Sequence, residues 1–275
     1  MRKKVNILNI DFDQLSLAET VNEIEKMIKE KGCFHIGTMN PEYLVRAHSS
    51  KQLKKVIANM DLILPDGVGI VLAAKWKNLG KLRRIRGGDL VEEMAALCEK
   101  NDYKMALIGG EKGIAQKALQ SLQAKFPKLI GFADSGPLMG AAHDAFFAQS
   151  RSGFAAPTFV GERRQSAQKG HFASLNKEII KKIIQEKPQV LLTAFGFKGP
   201  IWIDSLLKEL RKEKITLVAL EVGGVFNYLA GRSSRPPKVV QRVGLEWLWR
   251  LATEPWRWRR QLNLAKFIWL VARGK

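Results

Sequence analysis

The sequence is short of cysteine, short of acid and without a long apolar run, and each shortage removes a class of protein. Its 275 residues include two cysteines, Cys33 and Cys98, which have neither the number nor the spacing of a disulfide framework or a thiol metal site. A reducing compartment is the expectation. No window approaches the roughly 18 uninterrupted apolar residues that a membrane-spanning helix needs, and Phe267–Ala272 is far too short. The opening MRKKVNILNIDFDQ is basic but has no apolar core and no small-residue cleavage site, so no signal peptide is expected. Any membrane contact is therefore expected to be peripheral. Acidic residues number 26 against 46 lysines and arginines, a formal net charge of +20. That excess predicts an anionic partner: nucleic acid, a phospholipid surface or a phosphorylated substrate. No RNP, zinc-finger or basic-zipper signature supports the first of these.

What is present is an alternation of short apolar runs and amphipathic stretches. Val5–Ile10, Phe34–Gly37, Leu62–Leu64, Lys104–Ile108, Val190–Phe195 and Ile215–Leu220 read as strands, with helical patterns between most of them. Ser16-Leu17-Ala18-Glu19 and Asp89-Leu90-Val91-Glu92 read as capping boxes, Ser50 as a helix cap and Gly32 as a helix stop. Such alternation predicts an α/β fold with a mainly parallel, doubly wound sheet flanked by helices. From Ala133 to about Ser174 the composition shifts to Ala, Ser, Gly, Gln and Arg without a period of 2 or 3.6. This stretch is expected to be a long loop or flexible insertion, and its His143 and His171 lack the partners a metal site would need.

Four polar corners open helices, three of them where a strand should end, the place an α/β sheet usually puts its ligand. Thr38-Met39-Asn40-Pro41 is the first, and Asn40 there is equally a good N-cap before a helix-starting proline. Pro65-Asp66-Gly67 is the second: a turn triplet, and also a place to mount a general base. In the third, Arg86 precedes Gly87-Gly88, which allow close approach of an anion. The fourth, Gly109-Gly110-Glu111-Lys112-Gly113, offers backbone N–H groups and a helix N-terminus to a phosphate, although its spacing is neither a Walker A nor a dinucleotide fingerprint.

After Gly231 the chain becomes strongly basic, with arginines and lysines from Arg232 to Lys275 facing only Glu246 and Glu254. One helix is expected over about Val243–Thr253 and another after Pro255. In the last, Trp258, Leu262, Ala265, Trp269 and Ala272 share a face at helical spacing beside basic residues. That pattern suits a membrane-surface helix, and equally a helix packed on the body with a solvated basic edge, or a contact with a second copy of the chain.

Taken in order, Thr38-Met39-Asn40, Pro65-Asp66-Gly67, Arg86-Gly87, Gly109–Gly113 and Gly244-Leu245-Glu246-Trp247 through Arg250-Leu251 to Glu254-Pro255 resemble the bacterial WecG/TagA/CpsF glycosyltransferases. The resemblance implies a Rossmann-like catalytic domain over 1–231, interrupted at 133–174, and a basic, tryptophan-rich appendage over 232–275 that helps close the site at the membrane. It implies an inverting, metal-independent transferase without a cofactor, moving an N-acetylmannosamine-type sugar from a UDP-sugar to an undecaprenyl-diphosphate-linked N-acetylglucosamine. Cell-surface polysaccharide or teichoic acid synthesis on the inner face of the cell membrane would be its setting. Asp66 corresponds to the proposed base, Thr38 and Asn40 to polar pocket residues and Arg86 to a substrate-contacting arginine. Gly109, Gly110 and Gly113 join the binding set, and Arg235, with Arg232 and Arg242, is expected to reach the donor diphosphate. No Asp-x-Asp pair stands at a strand end to hold a cation; Asp11-Phe12-Asp13 has the spelling but reads better as loop carboxylates.

Two departures open an alternative. Where the family usually has Gly-x-Pro-Lys-Gln-Glu-x-Trp, this chain reads Phe195-Gly196-Phe197-Lys198-Gly199-Pro200-Ile201-Trp202, without the Gln that is expected to contact the donor sugar. Asn227 stands where an Asp is common. A catalytically altered, membrane-associated binder of UDP-sugar or lipid diphosphate is the competing expectation, and a nucleic-acid-binding protein the third.

Overall fold

A computed structural model describes residues 2–136, 177–255 and 258–274. Six strands form one wholly parallel sheet: β3 (Cys33–Met39), β4 (Leu62–Pro65), β5 (Met105–Gly109), β6 (Gly131–Asp134), β7 (Val190–Ala194) and β8 (Leu217–Glu221). Their order across the sheet is β4-β3-β8-β7-β5-β6, and every neighbouring pair is parallel. β5, β7 and β8 are buried along their whole length. Both sheet faces are covered, which is why these segments read as unbroken apolar runs instead of alternating ones.

The order also locates the functional edge. The chain runs from β3 outward to β4 on one side and from β5 outward to β6 on the other, then returns through β7 and β8 to the middle. Connections that diverge in this way leave a crevice at the C-terminal ends of the central strands.

On one face pack α1 (Leu17–Lys29), α5 (Gly87–Lys100) and α6 (Ile114–Lys125), with Ile24, Leu90, Met94 and Leu122 at the centre. The other face is covered by residues 177–186 (α7) and by α8 (Gly199–Leu210), through Ile183, Ile203 and Leu206. A third core joins α2 (Pro41–Ser49), α3 (Lys51–Ala58), α4 (Val68–Trp76) and the C-terminal helix around Leu44, Ile57, Ile70 and Phe267.

Several expectations hold at the level of single bonds. Ser16 accepts from Glu19 N while Glu19 Oε2 accepts from Ser16 N, a complete capping box. Ser50 Oγ accepts from Leu53 N at 3.2 Å. Other expectations are corrected. Val5–Ile10 is an antiparallel hairpin, β1 (Lys4–Ile7) and β2 (Ile10–Asp13), turned at Leu8 and Asn9 with φ of 52° and 62°. Asp89 and Glu92 form no capping box, because α5 starts two residues before Asp89, with Arg86 as its N-cap. The left-handed residue after α1 is Lys31, not Gly32. The stretch expected to be irregular from Ala133 begins instead inside β6, whose Ala133 and Asp134 pair with Leu107 and Ile108. Residues 137–176, with His143 and His171, lie outside the described residues. Asp11 and Asp13 belong to the hairpin: Asp13 is fully buried, paired with Arg2 at 3.1 Å, and accepts Ile63 N at 2.9 Å.

Beyond α8 come α9 (Val225–Leu229), α10 (Lys238–Arg242), α11 (Glu246–Thr253) and α12 (Trp258–Arg273). Phe267, Leu270 and Val271 of α12 are buried in the third core. Trp258, Leu262 and Trp269 are exposed. The expected face is therefore the outward one, and the helix packs on the body through a different stripe.

Candidate active site

The C-terminal edge of the sheet is built from four corners and a segment that crosses them. Asp66 follows β4, its N–H bonded to Met39 O at 2.8 Å. It is partly accessible, and protein surrounds its carboxyl closely enough that burial pushes it above the usual carboxylate range. Arg84 and Arg250 pull it back down, Glu246 pushes it up, and the Gly67 N–H adds a small downward pull. A carboxylate poised between these influences suits proton transfer nearer neutral pH than an ordinary aspartate.

The arginines around it are held by the crossing segment. Arg84 pairs with Glu246 at 2.5 Å and donates to Gln241 O at 3.2 Å. Its Nε is buried without a partner, a donor that an arriving anion would match. Arg86 donates to Asp89 at 2.5 Å and to Gln241 Oε1 at 3.1 Å, and Gln241 in turn donates to Pro236 O. Arg250 lies over the Tyr228 ring at 4.9 Å and beside Gly224.

Arg235 pairs with Asp89 and Glu92, and Arg232 with Glu111. Residues 232–254 thus touch the corner after β5, the start of α5, the corner after β8 and the surroundings of Asp66. Arg242 ends α10, and its side chain lies outside the described residues.

Of the polar residues expected in the pocket, Asn40 caps α2, accepting Glu42 N at 3.0 Å and Tyr43 N at 3.2 Å. Thr38 is buried and donates to Glu221 O at 3.3 Å. Gly109, Gly110 and Gly113 do make a strand-to-helix corner, with φ of 110°, 78° and 81°. A side chain at Gly109 would also strike Phe195. Gly110 N is bonded to Ala194 O at 3.1 Å. Strands lie about 4.8 Å apart, and four strand steps separate β4 from β5. Asp66 and the glycine corner are therefore about 19 Å apart along the edge and cannot touch the same atom.

Between them stands a carboxylate that sequence reasoning passed over. Glu221 ends β8 and is buried, and Thr193 Oγ1 at 2.7 Å and Phe195 N at 3.1 Å donate to its Oε2. Gly196 N and Gly223 N, each at 2.9 Å, donate to Oε1. Burial raises its pKa to about 7 against the pull of those four donors. A Cβ at Gly199 would collide with this carboxyl, so the altered Phe195–Trp202 segment is shaped around Glu221. Phe197 from the same segment packs on Tyr43 and lies under Arg46 at 3.7 Å. Arg84, Arg250, Gln241 and Glu221 were not singled out from the sequence because most of their partners lie far along the chain. Only Arg250 carried a sequence signal, as part of the Gly244–Pro255 pattern.

Residues 5–275 match the family model described as Glycosyl transferase WecG/TagA/CpsF family. Among curated proteins the chain is similar to the N-acetylglucosaminyldiphosphoundecaprenol N-acetyl-beta-D-mannosaminyltransferase of Bacillus subtilis (strain 168), 25% identical over 95% of this chain and 88% of that one. The protein of the same name from Staphylococcus aureus (strain MRSA252) is 23% identical over 99% of this chain and 93% of its own.

Proposed function

The chain belongs to the WecG/TagA/CpsF family of glycosyl transferases, and from that premise we propose that it moves an N-acetylmannosamine-type sugar from UDP to N-acetylglucosamine on undecaprenyl diphosphate. The observation that carries this reading is the Asp66 corner: a partly accessible carboxylate of raised pKa between two arginines, under a basic segment. Asp66 takes the proton of the attacking acceptor hydroxyl. The freed oxygen bonds to the anomeric carbon as the carbon–oxygen bond to the diphosphate breaks, with inversion, and UDP departs. Guanidinium groups and backbone N–H donors balance the charge that develops on the diphosphate, so no metal is required. Arg84 and Arg250 act on the carboxylate; Arg86 is assigned to substrate contact, and Arg235, Arg232 and Arg242 to the diphosphate.

A nucleotide-sugar is a long substrate, and the ~19 Å between Asp66 and Gly109–Gly113 accommodates one lying along the sheet edge. Residues 1–231 supply the chemistry in this reading, and residues 232–275 close the site and bring it to the inner face of the cell membrane. Among the described residues no helix is long and apolar enough to cross a membrane, and attachment through the outward face of α12 is peripheral.

The test is transfer from a panel of UDP-sugars to a short-chain prenyl-diphosphate N-acetylglucosamine, in EDTA, with Asp66→Asn alongside. Product that needs Asp66 supports the reading, and unchanged turnover in the variant would sink it. A second reading is favoured by one observation: Glu221 occupies the space a side chain at position 199 would enter. A chain so altered binds a different donor, or binds without transferring. UDP binding with no product from any donor would favour that reading.

A further inference from the structure

The membrane assignment above places all lipid contact on the C-terminal appendage, yet the exposed apolar surface does not stop there. α4 starts beside Asp66; Leu72, Lys75 and Trp76 are exposed on one face of it, and Leu79, just past its end, is exposed as well. Leu72 is 56% and Trp76 57% exposed, and the two lie one helical turn apart. α4 also packs directly against α12. Gly69 of α4 faces Leu264 and Phe267, and Lys77 Nζ reaches Ala272 O at 3.2 Å.

Trp76 of one helix and Trp269 of the other each carry a cation, Lys77 at 5.5 Å and Arg273 at 4.1 Å from the ring centroids. Neither segment contains acid: between Gly67 and Gly88, and again from Pro255 to Lys275, there is no Asp or Glu. A second copy of the chain would bring the same positive face against this one and be repelled. A surface of apolar anchors ringed by cations suits an interface that is apolar within and anionic at its rim.

We propose that the outward face of α4, with residues 77–83, forms one docking surface with the exposed face of α12 for an anionic lipid bilayer, so that the catalytic body itself touches the membrane. This rests on the peripheral attachment proposed above and adds a second, body-borne contact to it. Its consequence for the reaction is positional. α4 is nine residues long, about 13 Å at 1.5 Å per residue, and joins the base directly to the surface in which a lipid-linked acceptor sits.

Co-sedimentation of the full chain with phosphatidylcholine vesicles, and with mixed phosphatidylglycerol–phosphatidylcholine vesicles, tests both parts. The wild type is expected on the mixed vesicles and to be released by salt. Leu72→Ser with Trp76→Ser should weaken partition by about tenfold or more, since each side chain leaves an apolar phase. Lys75→Gln with Lys81→Gln should weaken it about fivefold per charge on the mixed vesicles only. Far-UV and thermal melts of each variant confirm that it is folded. Trp258→Ser with Trp269→Ser probes α12 separately. If that variant loses binding while Leu72→Ser/Trp76→Ser binds as the wild type does, the inference about α4 falls and attachment through α12 stands. A wild type that sediments with neither vesicle overturns both. A dimer that dissociates in Leu72→Ser/Trp76→Ser, with vesicle binding unchanged, identifies the patch as a self-association surface and overturns the inference.

Discussion

Asp66 and Glu221 are two carboxylates on the same sheet edge, and burial raises the pKa of both. Their surroundings differ in what is left over. Glu221 accepts four hydrogen bonds, three from the end of β7 and the turn after it and one from the turn after β8, and among the described residues no cation pairs with it. Asp66 sits among arginines, partly accessible, with an unmatched Arg84 donor near by. The lesson is that a raised pKa alone does not separate a working carboxylate from a structural one. Access to its oxygens does, because a substrate proton must reach them: those of Glu221 are buried behind four donors, whereas Asp66 is partly accessible.

The comparison breaks first at Asp66. Asp66→Asn should lower kcat by about 10²–10⁴-fold, the usual contribution of a general base, while retaining UDP affinity by calorimetry. Glu221→Gln with the larger loss of kcat would reverse the two roles. Arg250→Ala, which removes one cation beside the base, is expected to lower kcat/KM by roughly 10²-fold, measured in the same transfer assay.

The next contrast is in stability. Folded, Glu221 takes up its proton near pH 7, and unfolded nearer pH 4.5. Between those values the folded state holds more protons, so stability falls as pH rises. Measured by urea unfolding, the stability of the wild type relative to Glu221→Gln should fall by about 3 kcal/mol across that window, the difference cancelling other titrating groups such as the buried His35. Gly199→Ala should cost about 1–3 kcal/mol by overpacking. Glu221→Ala in the same chain should recover part of that, because the two positions compete for one space. Additive effects in the double-mutant cycle would separate them. The smallest effect expected is on the acidic limb of kcat/KM, which should lie above the range of an ordinary aspartate because burial outweighs the arginines at Asp66.

Local signals carried much of this fold. Ser16 with Glu19 and Ser50 declared their helices, and the apolar runs of β5, β7 and β8 declared a sheet buried on both faces. The β1–β2 turn was hidden because Leu8-Asn9 takes positive φ without the glycine that advertises such turns. β6 was hidden because four residues at a change of composition have no period to read. In the site, the corner at Asp66 was legible from its turn chemistry and place. Its cations were not: Arg84 meets Glu246 across 162 positions and Arg86 meets Gln241 across 155, and no local pattern encodes such pairs. The cap that Asn40 forms on α2 was legible as one of its two readings, whereas the bond from Thr38 to β8 is visible only in the fold.

The pairing of Arg232 with Glu111 and of Arg235 with Asp89 and Glu92 changes what a net charge of +20 means at this edge. A diphosphate arriving there meets cations that already have anions, so its binding is an exchange of partners and not the filling of a bare positive field. A ligand then gains only what it offers beyond the carboxylates it displaces, such as bridging two guanidinium groups with one P–O–P unit. On the proposed reading these acids would set selectivity: isolated phosphates and extended polyanions would gain little by the trade, and a compact diphosphate most.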